Sequence, residues 1–308
     1  MTMTTENLSE FCAVQSVQTG EPLAGTAADE TVIWLILEYA GPWGAQAVEQ
    51  NELPTAVQAW LQAQTAALPH SRVLFIRHER EQAGSGRHFF VAITRESDQR
   101  LYSLFCATDE ALLAVDVAEL VADTAAQHPA YTAAPLFLVC TNGKRDQCCA
   151  KFGLPIYQQM AAELPAEQVW QCTHIGGHRY AATAVVLPHG VYYGQISPSR
   201  VPAIIHASQQ GEVVAAGYRG RTCYAPAVQA ADYFVRQHTG QMRLGAFVVT
   251  AVELSAEPCI EFATAEGLTY TVQLRTEEVA NLLVGCSKQK YEAQTFFHLG
   301  AIEQTPNL

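Results

Sequence analysis

Short runs of consecutive apolar residues alternate along this chain with longer stretches in which apolar positions recur every three or four residues. Val32 to Leu37 is wholly apolar and predicts a strand. A helix follows from about Pro54 to Leu68, its apolar residues spaced for one buried face. Three strand-like runs come next, at Val73 to Ile76, Phe89 to Thr94 and Leu101 to Cys106. Asp109 is placed to cap a further helix starting near Ala111. The order then repeats. Leu136 to Val139 predicts a strand, and a helix runs from about Pro155, suited to a first turn, to Leu164, where Pro165 stops it. Strands are expected at Val169 to Cys172, Ala181 to Leu187 and Val191 to Ile196, with Pro188, His189 and Gly190 turning between the last two. A helix from Val201 to Gln209 closes the unit.

Both halves read strand–helix–strand–strand–strand–helix. That order is compatible with a thioredoxin-like unit, in which a crossover helix joins parallel strands beside an antiparallel edge. The expected fold is therefore α/β: tandem thioredoxin-like units, each a mixed sheet flanked by helices, followed by a β-rich tail. A helix from Ala225 to His238 precedes that tail, which runs from Gly245 to about Ile302 with a hairpin turn at Ala265, Glu266 and Gly267. The expected domains are residues 1–125, 126–240 and 241–308.

Composition agrees with this division. A chain of 308 residues, 49% hydrophobic and 16% charged, is long enough for two units and can bury a core in each. Disorder is expected only in the first dozen residues and the last few. The net charge of −12 argues against nucleic acid and against an anionic membrane surface as partners. The charge is uneven: Cys140 to Arg221 carries seven basic and four acidic residues, so this window is +3 and the remainder −15. Met1 to Ser16 is polar, without a basic start or an apolar run, and no stretch approaches the roughly 18 apolar residues of a membrane span. These features lead us to expect a cytoplasmic protein. Nine cysteines in that compartment indicate metal or redox chemistry sooner than disulfides.

The chemistry concentrates in Cys140-Thr-Asn-Gly-Lys-Arg-Asp-Gln-Cys148-Cys149 and His174-Ile-Gly-Gly-His178. Cys140 ends an apolar strand, and the vicinal pair lies at or just before a helix start, where outward N–H groups stabilise thiolates. Lys144 and Arg145 add to that effect, and Arg179 follows the second histidine. Gly176 and Gly177 rule out a helical metalloprotease motif and allow a tight loop that turns both imidazoles to one point. Two thiolates and two imidazoles would satisfy the terminal ligand needs of a 2Fe–2S cluster, and equally a structural zinc. A thiol–disulfide activity of Cys148 and Cys149 is a third possibility, weakened by the strain of a vicinal bridge. Cys286, in the tail, reads as either a filler or a reactive thiol.

These two segments, with the continuation His178-Arg-Tyr-Ala, resemble the sucrase/ferredoxin-like family, relatives of thioredoxin-fold ferredoxins. Weaker markers are Glu21-Pro-Leu-Ala-Gly-Thr-Ala, Gly41-Pro-Trp-Gly and Tyr218-Arg-Gly-Arg, so the resemblance spans about residues 10–240 and leaves the tail uncovered. It implies a 2Fe–2S cluster and electron transfer. It also implies Cys140, Cys149, His174 and His178 as ligands. Lys144, Arg145, Gly176, Gly177 and Arg179 are expected around the cofactor, where Arg145, Arg179 and Arg219 would stabilise the reduced, more negative state. Cys148 is an extra neighbour, and Asn142 stands where the family often has a non-ligand His. No paired carboxylates suit a glycosidase, so the "sucrase" in the family's name finds no support.

Two neutral imidazoles in place of thiolates would make such a cluster easier to reduce, by on the order of 250 mV in Rieske centres. The outward ring nitrogens would couple reduction to protonation. The expected function is an electron carrier or oxidoreductase component whose partner is a redox protein with an acidic docking surface. The alternatives are a zinc-stabilised Cys2His2 binding module and a thiol-dependent reductase. The N-terminal repeat has no Cys or His between Glu38 and Gly44, so it reads as scaffold or docking surface.

Overall fold

The computed structural model describes residues 11–28, 30–79, 86–287 and 289–306. The irregular start and end expected from sequence fall mainly on residues 1–10 and 307–308, outside the described residues. Helix α1 (Cys12–Gln18) already begins within the first dozen.

The first half runs β1 (Ile33–Glu38), α2 (Thr55–Ala67), β2 (Ser71–Arg77), β3 (Arg87–Thr94), β4 (Gln99–Cys106), then the short helices α3 (Asp109–Leu113) and α4 (Val117–Ala122). A two-residue strand, β5 (Tyr131–Thr132), returns to pair with β4. The second half runs β6 (Leu136–Cys140), α5 (Gln147–Glu163), β7 (Val169–Cys172), β8 (Ala184–Leu187), β9 (Val191–Tyr193), α6 (Val201–Gln209) and β10 (Tyr218–Arg221), followed by α7 (Pro226–Thr239).

The pairing repeats as well as the order. β1 lies parallel to β2 and antiparallel to β3, which pairs antiparallel with β4. Likewise β6 lies parallel to β7 and antiparallel to β8, which pairs antiparallel with β9. The two sets meet edge to edge through an antiparallel contact of β2 with β7, Ile76 opposite Cys172 and Arg77 opposite Gln171. The result is one mixed sheet of ten strands, ordered β10-β9-β8-β6-β7-β2-β1-β3-β4-β5.

Successive side chains of a strand face opposite ways. Ile33, Leu35 and Leu37 therefore pack with Phe75, Phe89 and with Val57 and Leu61 of α2. Trp34 and Ile36 turn to the other face and join Ile76, Leu138, Cys140, Trp170 and Cys172 in a core shared by both halves. Because both faces are covered, β6 and β1 up to Leu37 are apolar throughout, as their sequence required.

Four local expectations need correction. The helix expected from Pro155 starts at Gln147, with Pro155 inside it. Its true cap is Asp146, whose carboxylate accepts from the Cys148 N–H at 2.9 Å, so the first turn carries the vicinal cysteines. Thr108 caps α3 by accepting from Ala111, so Asp109 is the helix's first residue and no cap. The strand expected from Ala181 starts at Ala184, because His178–Tyr180 forms a 3-10 turn first. The strand expected to reach Ile196 ends at Tyr193.

Pro188-His189-Gly190 does turn between β8 and β9, with Gly190 at φ +64°. His189 packs there with Nδ1 2.6 Å from Gln99 Oε1, and burial first, then Arg221, pushes its pKa down to about 4. The folded state thus favours neutral His189, so its contribution is present above about pH 6.5 and lost as pH falls towards 4. Replacing His189 by Gln should remove roughly 2 kcal/mol of acid destabilisation, read as a smaller fall in urea midpoint between pH 7 and 4 than in wild type.

The tail is a separate antiparallel sheet of β11 (Val248–Glu253), β12 (Cys259–Ala263), β13 (Leu268–Gly285) and β14 (Lys290–Pro306). Its inner face, with Ile260, Phe262, Val272 and Leu274, packs on α7 through Val228, Ala231 and Val235. The long β13–β14 hairpin then reaches back to the second half, where Leu283 and Cys286 are buried with Cys12, Cys148 and Ala181. No helix among the described residues is long and apolar enough to cross a membrane.

Candidate metal centre

Three elements that meet near the centre of the large sheet carry the predicted ligands. Cys140 is the last residue of β6, Cys149 lies in the first turn of α5, and His174 opens the loop after β7. The Cys140 and Cys149 sulfurs lie 3.9 and 3.7 Å from His174 Nδ1, and the three ligand atoms fall within 4.8 Å of one another. Both cysteines are buried and His174 is partly so. A hydrogen bond between the two thiols, helped by His174, holds Cys140 well below its ordinary pKa and pushes Cys149 up.

His178 stands outside that group of three, its ring centroid 5.3 Å from that of His174. Gly176 and Gly177 take positive φ of 103° and 69°, the tight turn expected of them, and bring the two rings to the same side. The His178 Nε2 meets the Val284 carbonyl of the tail hairpin, and Asp146 lies 3.7 Å from it. A carbonyl only accepts, so Nε2 carries the proton and Nδ1 keeps its lone pair. That Nδ1 is buried and without a hydrogen-bond partner among the described residues. Burial lowers the His178 pKa, which favours the neutral ring.

The vicinal cysteines diverge because neighbours on a helix point about 100° apart. Cys149 faces Cys140 and His174. Cys148 faces Cys12 and Cys286, at 3.6 and 3.4 Å between sulfurs. Lys144 and Arg145 are exposed at the rim, and Arg145 lines a cavity of about 680 Å³ that also reaches His174, Asn142 and Arg72. Arg179 turns away: it is buried, with its guanidinium paired to Glu21 and donating to the Leu283 carbonyl.

Further residues position the centre, and among them Arg72 escaped the sequence reading. Arg72 of the first half donates to the carbonyls of His174, at 2.8 Å, and Ile175, so the half without ligands fixes the loop that has them. Asn142 donates to the Gly44 carbonyl at 3.1 Å, which gives the Gly41-Pro-Trp-Gly segment its place. Arg219 is buried, donates to Thr26 and Gly176, and stacks over Tyr180 and Tyr192 at 5.0 and 5.5 Å. It has no carboxylate partner among the described residues, and burial lowers its pKa to about 10. The weaker motif segments thus converge on the centre. Cys172, beside Cys140 across β6–β7, is buried, which raises its pKa, and it stands outside the group of three.

A family profile described as sucrase/ferredoxin-like matches residues 23–220. Three fungal proteins named altered inheritance of mitochondria protein 32 match part of the chain. That of Meyerozyma guilliermondii is 33% identical over 95 residues, 28% of this chain and 34% of the relative. That of Debaryomyces hansenii is 30% identical over 95 residues, 28% and 35% respectively. That of Eremothecium gossypii is 26% identical over 99 residues, 28% and 32%. The shared stretch is thus about a third of each relative's length. No solved structure matches the chain significantly.

Proposed function

Because this chain belongs to the sucrase/ferredoxin-like family, we propose that Cys140, Cys149, His174 and His178 hold a 2Fe–2S cluster in a single-electron carrier. The unpartnered Nδ1 of His178 carries this reading: a buried ring nitrogen with a free lone pair is costly unless something binds it. The donor set of two sulfurs and two imidazole nitrogens suits such a cluster. Arg219, a buried cation with no carboxylate partner among the described residues, fits a site whose occupant brings negative charge. Bound there, a 2Fe–2S group would supply reversible uptake of one electron.

The protein's own part is to exclude water and to hold a proton. Cys140 and Cys149 are buried, and the Val284 carbonyl fixes the His178 proton on Nε2. The repeated strand order supports a tandem of thioredoxin-like units, with Arg72 making the first a brace for the second. Exposed Lys144 and Arg145 mark the docking rim for a redox protein with an acidic surface, in keeping with the +3 window. Nine unbridged cysteines suit a reducing compartment, the cytoplasm in our reading. The relatives' name points to an alternative setting tied to mitochondria.

Absorption and EPR spectra of anaerobically purified protein test the proposal. A red-brown protein with a 2Fe–2S signal on reduction supports it, and a colourless protein with stoichiometric zinc at these ligands replaces it by the binding-module reading. The midpoint potential should fall as pH rises between about 6 and 10, since reduction makes the imidazoles more basic. Reduction by the partner should slow several-fold as ionic strength rises to physiological values, because salt screens the Lys144–Arg145 rim. A flat salt profile would remove the docking part alone.

A further inference from the structure

Behind the ligand cysteines lies a second group that the proposed centre does not use. Cys12 opens α1, Asp146 caps α5, Cys148 sits in its first turn, and Cys286 lies at the tip of the β13–β14 hairpin. All four residues are buried, with their ligand atoms within 4.8 Å of one another. The sulfur separations are 3.6 Å for Cys12–Cys148 and 3.4 Å for Cys148–Cys286.

We propose that Cys12, Asp146, Cys148 and Cys286 form a tetrahedral zinc site that fastens the tail hairpin to the N-terminal helix and to α5. With Zn–S bonds of about 2.3 Å, the edge between two sulfurs of a tetrahedron is about 3.8 Å, close to the separations here. A disulfide needs its sulfurs at about 2.05 Å and would leave the third thiol over. Three thiolates and one carboxylate are a soft donor set with one hard oxygen, which selects zinc above magnesium or calcium.

The backbone also prepares the site. The Cys12 N–H donates to the Cys286 sulfur at 2.9 Å, and the Cys286 N–H donates to Asp146 Oδ2 at 2.9 Å. Asp146 thus already orients two of the segments, and each of its oxygens keeps a lone pair for a metal. Aliphatic and aromatic neighbours, Ala13, Ala181, Leu283 and Phe152, keep water from the group. All four residues are buried, as the ligands of a structural zinc are.

The full-length protein, purified anaerobically with reductant, is to be assayed for zinc and iron by mass spectrometry. The expected result is about one zinc per chain, lost at least tenfold in both Cys12→Ser and Cys286→Ser while iron per chain is unchanged. Cobalt added to the demetallated wild type should give thiolate-to-cobalt charge transfer and tetrahedral d–d bands. Three outcomes would overturn the proposal: no zinc in the wild type together with no cobalt–thiolate band, zinc kept in both variants but lost in Cys140→Ser, or a Cys148–Cys286 disulfide in the intact mass. Zinc retention tracks Cys12 and Cys286 whereas iron tracks Cys140 and Cys149, so failure of this site and of the cluster reading are told apart.

Discussion

Cys140→Ser and Cys149→Ser should each strip the purified protein of iron and colour, whereas Cys148→Ser should keep most of both. The first two sulfurs lie against each other and both face His174, so removing either takes away half of the thiolate pair. Hydroxyls are poor substitutes for thiolates as iron ligands. Loss of at least nine-tenths of the visible absorbance is therefore expected from each. Cys148 is one residue away in sequence but belongs to the other side of the α5 turn, against Cys12 and Cys286. Iron content and visible spectra of the three variants decide the matter. A bleached Cys148→Ser beside a coloured Cys149→Ser would move the ligand by one position.

The second large effect concerns a residue with no chemistry. Gly153 lies inside α5, where exchange for Ala ordinarily stabilises a helix by roughly 1 kcal/mol. Here the sign should reverse. A Cβ on Gly153 would overlap the carbonyl oxygen of Cys140, a backbone atom that cannot swing aside. The glycine is what lets α5 settle against the end of β6, and that contact sets the spacing of Cys140 and Cys149. Gly153→Ala should cost about 2–4 kcal/mol, lower Tm by roughly 3–6 °C and reduce the iron retained on purification. A variant with raised Tm and full iron would mean that α5 has room to spare.

Much of this was legible in the residues, because the signals were local. Apolar runs such as Val32 to Leu37 and Leu136 to Val139 announced their strands, and Cys140, Cys149 and His174 announced a site that the fold does gather. Element ends read less well. Pro155 looked like a helix start because proline has no N–H to give, yet α5 accommodates it about two and a half turns beyond the cap that Asp146 provides. What sequence could not reveal were the partners supplied from far away. The joining of the halves rests on a short β2–β7 contact with no pattern of its own. Arg72, Arg219 and Val284 act on the histidine loop through backbone carbonyls and stacking, which leave no spacing to read. Cys286 was open between filler and thiol until the hairpin delivered it to Cys12 and Cys148.

The hairpin also sets the order in which the molecule can be completed during synthesis. Cys12 and Cys286 are separated by 274 positions, so the buried group joining α1, α5 and the tail cannot close until the chain has left the ribosome as far as Cys286. Both halves of the large sheet, and the loop bearing His174 and His178, emerge before then. In that interval His178 has neither the Val284 carbonyl to fix its proton nor a roof over its ring. The nascent chain thus presents an open histidine loop that the finished protein covers, and a metal delivered early meets less obstruction than one delivered late.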